Sequence, residues 1–477
     1  MNPAFLDSMD ATGLSQALHA GQLSCRDLMQ ATLARIAERN PVHKAIVSLR
    51  EPEALLAEAD AHDALLARGQ SKGWLHGIPQ AIKDLSATAG IPTTQGSPLL
   101  AHVVPREDEL MVARIKAAGG IVIGKTNTPE FGLGSHTFNP VFGTTVNAWN
   151  PARSAGGSSG GAAVALALRM LAVADGSDFM GSLRNPAGWN HVFGMRPSQG
   201  RVPQVPAADA WLAQLGTAGP MARTVRDLAR LLDTQAGHDP RAPLSLDDGA
   251  RFAEALGQAA RPVRIAWLGD LDGYLPMDDG VLGCCEEALR RLESLGCAVE
   301  PAALGTPPEP VWDAWLVWRR VLVGARIAPL LALSRARERI KPEALWEYEQ
   351  GQGTGAAQFM AASSRRTAFH QHLLGLFERY DVLALPSAQV WPFDAALRWP
   401  ATVAGRAMDT YHRWMEVVIY ASFAGLPAIS VPAGFGAAGL PMGLQLIGRP
   451  RDDAGVLRLA AAYEAAAADL LRTAPPA

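Results

Sequence analysis

The 477-residue sequence predicts an α/β sandwich, and three observations predict it. Residues 13–69 are rich in Ala and Leu at helical spacing. From Gly77 onward, short apolar runs such as Ile121-Val122-Ile123 alternate with Gly/Pro turns and helical segments. Towards the C-terminus, three apolar runs of strand length are closed by a further helical stretch. Strands alternating with helices are the pattern of a sheet covered by helical layers.

In chain order, Met29, Leu33 and Ile36 fall on one face of a first helix, and residues 53–66 carry a similar pattern. Together they predict a helical N-terminal layer over about residues 1–70. Asp108 is the expected N-cap of a helix over 110–118, which Gly119-Gly120 would end. Residues 162–174 are the longest apolar stretch, broken by Arg169. At 13 residues the stretch is too short to span a bilayer and reads as a buried helix. Beyond about residue 235 the chain turns Pro- and Ala-rich, then helical, with Trp312, Trp315 and Trp318 at every third position. Such a stripe is expected to pack a helix on the body, or else to line a pocket. Residues 351–355 (Gly-Gln-Gly-Thr-Gly) read as a mobile linker or loop. Residues 380–386, 428–432 and 443–448 read as buried strands and 454–467 as the closing helix, with no internal repeat.

Composition narrows the function. A net charge of −3 gives no electrostatic footprint for nucleic acid or an anionic membrane. The four cysteines, Cys25, Cys284, Cys285 and Cys297, form neither CxxC pairs nor a disulfide framework, which fits a reducing compartment. The first ten residues hold Asp7 and Asp10 without a basic or apolar leader, so no signal peptide is expected and a cytoplasmic location is.

Three motifs mislead. Gly119-x4-Gly124-Lys125-Thr126 matches a phosphate-binding loop, but a helix precedes the glycines and the strand-like run lies inside the motif. Lys125 reads better as a strand-end residue. Gly156-x-Ser158-x-Gly160 matches a nucleophile elbow, yet residues 150–155 are no core strand. His370-x-His372 lacks a third ligand at recognisable spacing and reads as two surface histidines on a helix.

The informative constellation is different. Residues 156–161 (Gly-Gly-Ser-Ser-Gly-Gly) hold Ser158, and Ser182 follows 24 residues later in Gly181-Ser182-Leu183-Arg184. Lys83 lies 75 residues before Ser158, in Gly77-Ile78-Pro79-Gln80-Ala81-Ile82-Lys83-Asp84. A serine hydroxyl is a poor nucleophile until a base takes its proton. A lysine is a base only when neutral, so its pKa must fall from about 10.4 through burial or nearby positive charge. A second serine can relay the proton, because a hydroxyl both donates and accepts.

Through these residues the chain resembles the amidase signature family of hydrolases. The likeness also runs through Gly124-Lys125-Thr126-Asn127, Pro129-Glu130-Phe131, residues 176–184, Gly219-Pro220-Met221-Ala222-Arg223, Gly425-Leu426-Pro427-Ala428 and residues 443–448. It covers nearly the whole chain and is weakest over 235–375. The resemblance implies one domain over residues 1–477. Its core would be a large twisted mixed β-sheet between α-helices, with 235–375 as a variable cap. It makes Ser182 the nucleophile, Ser158 the bridging serine after a cis Gly157–Ser158 peptide, and Lys83 the base. Backbone N–H groups of Phe179, Met180, Gly181 and Ser182 would form the oxyanion hole, braced by Asp178 and Arg184. The implied reaction is hydrolysis of a linear carboxamide through an acyl-enzyme, extending to aryl amides, carbamates (urethanes) or esters. No metal or organic cofactor is implied. The partner is a small-molecule amide or carbamate, and the assembly a monomer or homodimer.

Departures from the family pattern are Met180-Gly181 where Gly-Gly is usual, Ser177 and Phe179 where Thr is usual, and Leu85 where Asn is common. Met180 is expected to line the pocket beside Ser182, or else to point into the core; the Met-type signature is similar to that of aryl-acylamidases and urethane-cleaving enzymes. Two alternatives stand beside this reading. One is an amidotransferase A-subunit-like glutaminase acting with a partner. The other is a non-catalytic binding scaffold, against which the intact Lys83, Ser158 and Ser182 argue.

Overall fold

The apolar runs pair into an eight-stranded mixed sheet in the computed structural model, which describes residues 5–258 and 261–476. The first four residues, part of the N-terminus read above as leader-free, lie outside the described residues. Spatial order is Ala298–Pro301, Arg264–Trp267, Val382–Pro386, Pro441–Gly448, Ala428–Phe435, Phe193–Arg196, Thr217–Ala222 and Val173–Asp178. The first three strands are parallel and every later pairing is antiparallel. Val382–Pro386 and Pro441–Gly448 are buried at every position, which is why they read as continuous apolar runs rather than alternating ones. The helices Arg184–Asn190, Val281–Ser294 and Asp453–Ala466 pack against these strands.

A second sheet of three strands holds Lys83. Ile121–Thr126 pairs antiparallel with Ile46–Val47 and parallel with Pro79–Lys83. Among the described residues it meets the large sheet without a ladder. The Lys83 N–H instead donates to both carboxylate oxygens of Asp175, at 3.2 Å each, on the edge strand Val173–Asp178. This junction is where the candidate site lies.

The N-terminal helices are Ala11–His19, Cys25–His43 and Pro52–Leu66. Met29 and Ile36 are buried and Leu33 packs beside them. Ser24 caps the second of these, its Oγ accepting from Asp27 N at 2.9 Å. Among the described residues no helix is long and apolar enough to cross a membrane.

Several expectations change. Asp108 is not an N-cap: its Oδ1 accepts from Ala89 N and Lys116 Nζ, at 2.8 Å each, and the helix Leu110–Ala117 begins after Glu109. The apolar stretch 162–174 is not one helix. Gly160–Ala167 ends, Arg169 turns left-handed at φ 58°, and Val173 opens a strand. The segment 351–355 is a loop only over residues 353–355, which join the helices Pro342–Gln352 and Ala356–Arg379. The helix Pro342–Gln352 includes Gly351, whose Cβ would lie 2.7 Å from Arg320 O, so this glycine permits close packing on the helix Pro308–Ile327. Residues 264–301, placed by sequence within the cap, supply the last two strands at one end of the large sheet, Arg264–Trp267 and the edge strand Ala298–Pro301. The tryptophan stripe is buried on Pro308–Ile327, packing that helix onto the body.

The misleading motifs are explained by the same elements. The phosphate-loop match straddles the end of Leu110–Ala117 and the strand Ile121–Thr126. Lys125 Nζ is buried, donating to Ser86 O at 2.6 Å and Thr88 Oγ1 at 2.8 Å. Ser158 follows turns and isolated bridges, not a core strand. His370 and His372 each bond a backbone carbonyl, of Ala424 and Leu304.

Candidate active site

Lys83 ends its strand with the side chain 1% exposed. Its Nζ lies 2.8 Å from Ser158 Oγ, 2.8 Å from Ser159 Oγ and 3.0 Å from Ser177 Oγ. Burial pushes its pKa down to about 7, aided by the Arg326 charge and opposed by Asp175 and Asp178. The amine is thus surrounded by neutral hydroxyls rather than ion-paired, which keeps its neutral form within reach near pH 7.

The segment before Ser158 is fixed from the preceding loop. Ser135 Oγ donates to Gly157 O at 2.7 Å and Thr137 Oγ1 to Gly156 O at 2.8 Å. The Gly157–Ser158 peptide is cis. His136 Nε2 lies 3.1 Å from Ala395 O, and a carbonyl only accepts, so Nε2 carries the proton. Its Nδ1 then accepts from Ser154 Oγ at 2.7 Å, and that oxygen accepts from Gly156 N at 3.1 Å. Burial holds the His136 pKa down to about 4, so this tautomer stays neutral. Downstream, a Cβ on Gly161 would sit 2.4 Å from Asn127 N and 2.5 Å from Ala45 O. Only glycine lets the Gly160–Ala167 helix approach the small sheet this closely.

The second serine comes from the other side of the junction. The strand Val173–Asp178 runs into a turn, 179–182, ahead of the helix Arg184–Asn190. Gly181 has φ +78°, and a Cβ there would meet Val418 Cγ2 at 2.6 Å, so glycine is required on both counts. The Asp178 carboxylate accepts from Gly181 N at 2.9 Å, Leu183 N at 3.2 Å, and Arg184 Nε and Nη2 at 3.0 Å each. Burial by itself would raise the Asp178 pKa. Arg184 and Arg196 outweigh it and hold the carboxyl far below the usual carboxylate range. Arg184 reaches on to Gln445 Oε1 at 2.6 Å and Ser422 Oγ at 2.8 Å, tying the turn to the middle of the large sheet. Asp178→Asn leaves two buried guanidiniums without a counter-charge and is expected to cost about 3–5 kcal/mol of stability. A lowered urea midpoint together with lost activity checks this; an unchanged midpoint contradicts it.

Ser182 is 6% exposed, and its hydroxyl makes no hydrogen bond to another described residue. Its carbonyl accepts from Ser159 N at 3.2 Å, so the two serine-bearing segments are joined one residue away from Ser158. Lys83, Ser158 and the Ser182 turn therefore converge, with no direct Ser158–Ser182 hydroxyl bond among the described residues. Of the four amides expected at an oxyanion hole, that of Gly181 already donates to Asp178. Those of Phe179, Met180 and Ser182 make no hydrogen bond to another described residue. Met180 also differs from the pocket expectation. Its side chain is buried, with Sδ accepting from Arg319 Nη1 at 3.8 Å, and so turns to the helix Pro308–Ile327 rather than into an open pocket.

The residues that sequence reasoning missed are Ser159, Ser177 and Asp175, which hold the side chain and backbone of Lys83. Ser159 lies in the same glycine cluster and Ser177 in the strand leading to the Ser182 turn; nothing in the spacing points to Asp175.

Fold and site together define an α/β amide hydrolase. The Amidase family model matches residues 27–457, and the chain belongs to the amidase signature family. It is 34% identical over 490 residues to the A-subunit of the glutamyl-tRNA(Gln) amidotransferase of Chloroflexus aurantiacus, covering 96% of each chain. It is 34% identical over 464 residues to an acylamidase of Rhodococcus erythropolis, covering 96% of this chain and 95% of that one. The crystal structure of a bacterial aryl acylamidase of the amidase signature family superposes with a TM-score of 0.91 at 29% identity, over 98% of this chain and 99% of that one.

Proposed function

We propose that the chain hydrolyses linear amides, aryl amides foremost, through an acyl-enzyme on Ser182. The observation that carries this reading is Lys83 Nζ at 2.8 Å from Ser158 Oγ, with burial drawing the lysine pKa down to about 7. Neutral Lys83 takes the Ser158 proton while Ser158 takes that of Ser182. The freed Ser182 oxygen attacks the carbonyl carbon, and the oxyanion faces the amides of Phe179, Met180 and Ser182. Collapse breaks the C–N bond, and the relay run in reverse protonates the leaving amine. A water activated by the same relay then hydrolyses the ester and returns Ser182. Gly181 serves through its left-handed backbone, and Asp178 and Arg184 hold the turn.

The preference for aryl groups rests on what surrounds the serines. A Cβ on Gly132 would lie 3.4 Å from Ser158 Oγ, and the residues on either side of this glycine, Phe131 and Leu133, are buried. These belong to an apolar cluster with Val323, Ile327 and Ile340, against which Phe179, Leu99 and Leu100 pack. Burying an apolar ring face gains about 25 cal/mol per Å2, so one ring contact is worth about 1–2 kcal/mol. An anilide should therefore exceed acetamide in kcat/KM by at least about five- to thirty-fold. A panel of p-nitroanilides, primary amides and carbamates tests this, and a preference for acetamide sinks it. Activity should rise with pH, because only the neutral amine is a base. The rise in kcat/KM follows one ionisation near pH 7 and levels off in mild alkali. A profile still flat at pH 5 contradicts the lysine base.

The 34% identity to an amidotransferase A-subunit favours a second reading, a glutaminase that works with a partner. Hydrolysis of a neutral anilide by the purified chain alone decides for the first reading. Activity confined to glutamine plus a partner decides for the second. The same proposal places the enzyme in the cytoplasm as a monomer or homodimer, in keeping with its free cysteines. It also treats the chain as one domain, capped by the helices Pro308–Ile327, Pro342–Gln352 and Ala356–Arg379.

A further inference from the structure

We infer that Arg319 is a positioning residue for the turn that carries Ser182, acting through Met180 and Phe179. The inference rests on Ser182 as the nucleophile. Trp315 and Arg319 stand four residues apart on the helix Pro308–Ile327 and so share a face. That face grips both residues ahead of Gly181-Ser182. Arg319 Nη1 lies 3.8 Å from Met180 Sδ, and the guanidinium sits 5.6 Å from the Phe179 ring centre. Trp315 meets the same ring edge-on at 5.5 Å. Two of the three amides open to an oxyanion belong to these two residues.

Arg319 is itself aimed by a closed ring of hydrogen bonds. Its Nε donates to Glu347 Oε1 at 2.6 Å, its Nη2 to Tyr411 OH at 2.6 Å, and Tyr411 OH to Glu347 Oε1 at 2.7 Å. All three side chains are buried, and Glu347 Oε2 has no partner among the described residues. Both hydrogen bonds to the carboxylate, from Arg319 and from Tyr411, thus fall on Oε1. Desolvating an Arg–Glu pair costs about as much as the pair returns, so stability alone gives little reason to keep one here. What the ring supplies is direction: a guanidinium whose fork is fixed on two sides presents its third side at one place, the Met180 thioether. The other flank of the turn is held by Val418 and by Asp178. A glycine at position 180 would offer the cap helix nothing to hold, and the departure Met180 becomes the handle that joins cap to turn.

The test is a mutant cycle on the full chain. Arg319→Met with Glu347→Met removes both charges together and strands neither, Met180→Gly removes the handle, and a third variant combines all three. Turnover of a p-nitroanilide, the rate of fluorophosphonate labelling at Ser182, and Tm are measured on each. A misplacement of about 1 Å can cost about a hundredfold in rate, so the Met pair should lower kcat and the labelling rate about ten- to a hundredfold, with KM within about twofold. In the Met180→Gly background the same pair change should cost less than about threefold, because only the weaker contact with the Phe179 ring is then left to lose. Arg319→Lys should not restore the rate, since a point-like ammonium cannot serve Glu347, Tyr411 and Met180 at once. Should the Met pair fail to fold, Glu347→Gln carries the test with a smaller loss in the same direction. Effects that simply add across the cycle, a fall in Tm with kcat untouched, or a raised KM at constant kcat each overturn the inference. Wild-type protein unlabelled at Ser182 would overturn the nucleophile assignment beneath it, whereas labelling without coupling overturns only the role of Arg319.

Discussion

Replacing Ser182 by alanine is expected to abolish turnover while leaving the fold intact. Loss of a serine nucleophile costs about six orders of magnitude in a related chemistry, and a fall of about four to six is expected here. The fold should survive because the Ser182 hydroxyl holds nothing in place: it makes no hydrogen bond to another described residue. The bond that joins the two serine segments runs through the Ser182 carbonyl, which the substitution keeps. Tm should therefore stay close to the wild-type value while kcat for an anilide and labelling by a fluorophosphonate both vanish. Retained labelling in the alanine variant would move the nucleophile elsewhere.

Lys83→Ala should lower kcat by several orders of magnitude, and Lys83→Arg should not recover it. Alanine removes the proposed base and leaves the hydroxyls of Ser158, Ser159 and Ser177 facing a gap. Arginine keeps a positive charge but cannot give up its proton in a protein, so it cannot act as a base. It also forces a permanent charge into a site whose burial disfavours the charged form, as the fall of the lysine pKa to about 7 records. The arginine variant should accordingly be less stable than wild type as well as inactive. Steady-state rates and urea midpoints on the same preparations check both halves. Substantial activity in Lys83→Arg would make Lys83 an electrostatic prop and not the base.

The core of the candidate site was legible in the sequence because its serines and lysine sit in short segments punctuated by glycine. Gly156, Gly161 and Gly181 mark places where backbone must pass close to backbone or turn left-handed, and Ser158 and Ser182 lie between or beside them. Lys83 was legible from the same kind of punctuation, at the end of an apolar strand. The supporting shell was not. Asp175 meets Lys83 across the gap between two sheets, 92 residues away, and Arg319 meets Met180 across 139 residues. Neither local spacing nor periodicity carries such pairings. The errors in the fold have the same origin. Asp108 has the residue type of a cap, yet Ala89 and Lys116 compete successfully for its carboxylate. The apolar stretch 162–174 passes from helix to strand without changing composition, so only the left-handed Arg169 marks the boundary. The outer strands Arg264–Trp267 and Ala298–Pro301 are short and partly exposed, too weak a signal to separate from a helical cap.

The central claim is a covalent acyl-enzyme on Ser182. Its most direct test is to mix enzyme with an excess of a p-nitroanilide, quench in acid during the first turnover, and locate the acyl group by peptide mass fragmentation. One acyl mass is expected on the peptide bearing Ser182, with fragment ions assigning it to that residue and no adduct in Ser182→Ala. An acyl group on Ser158, or turnover with no covalent adduct at any quench time while hydrolysis of the intermediate is slow, would contradict it.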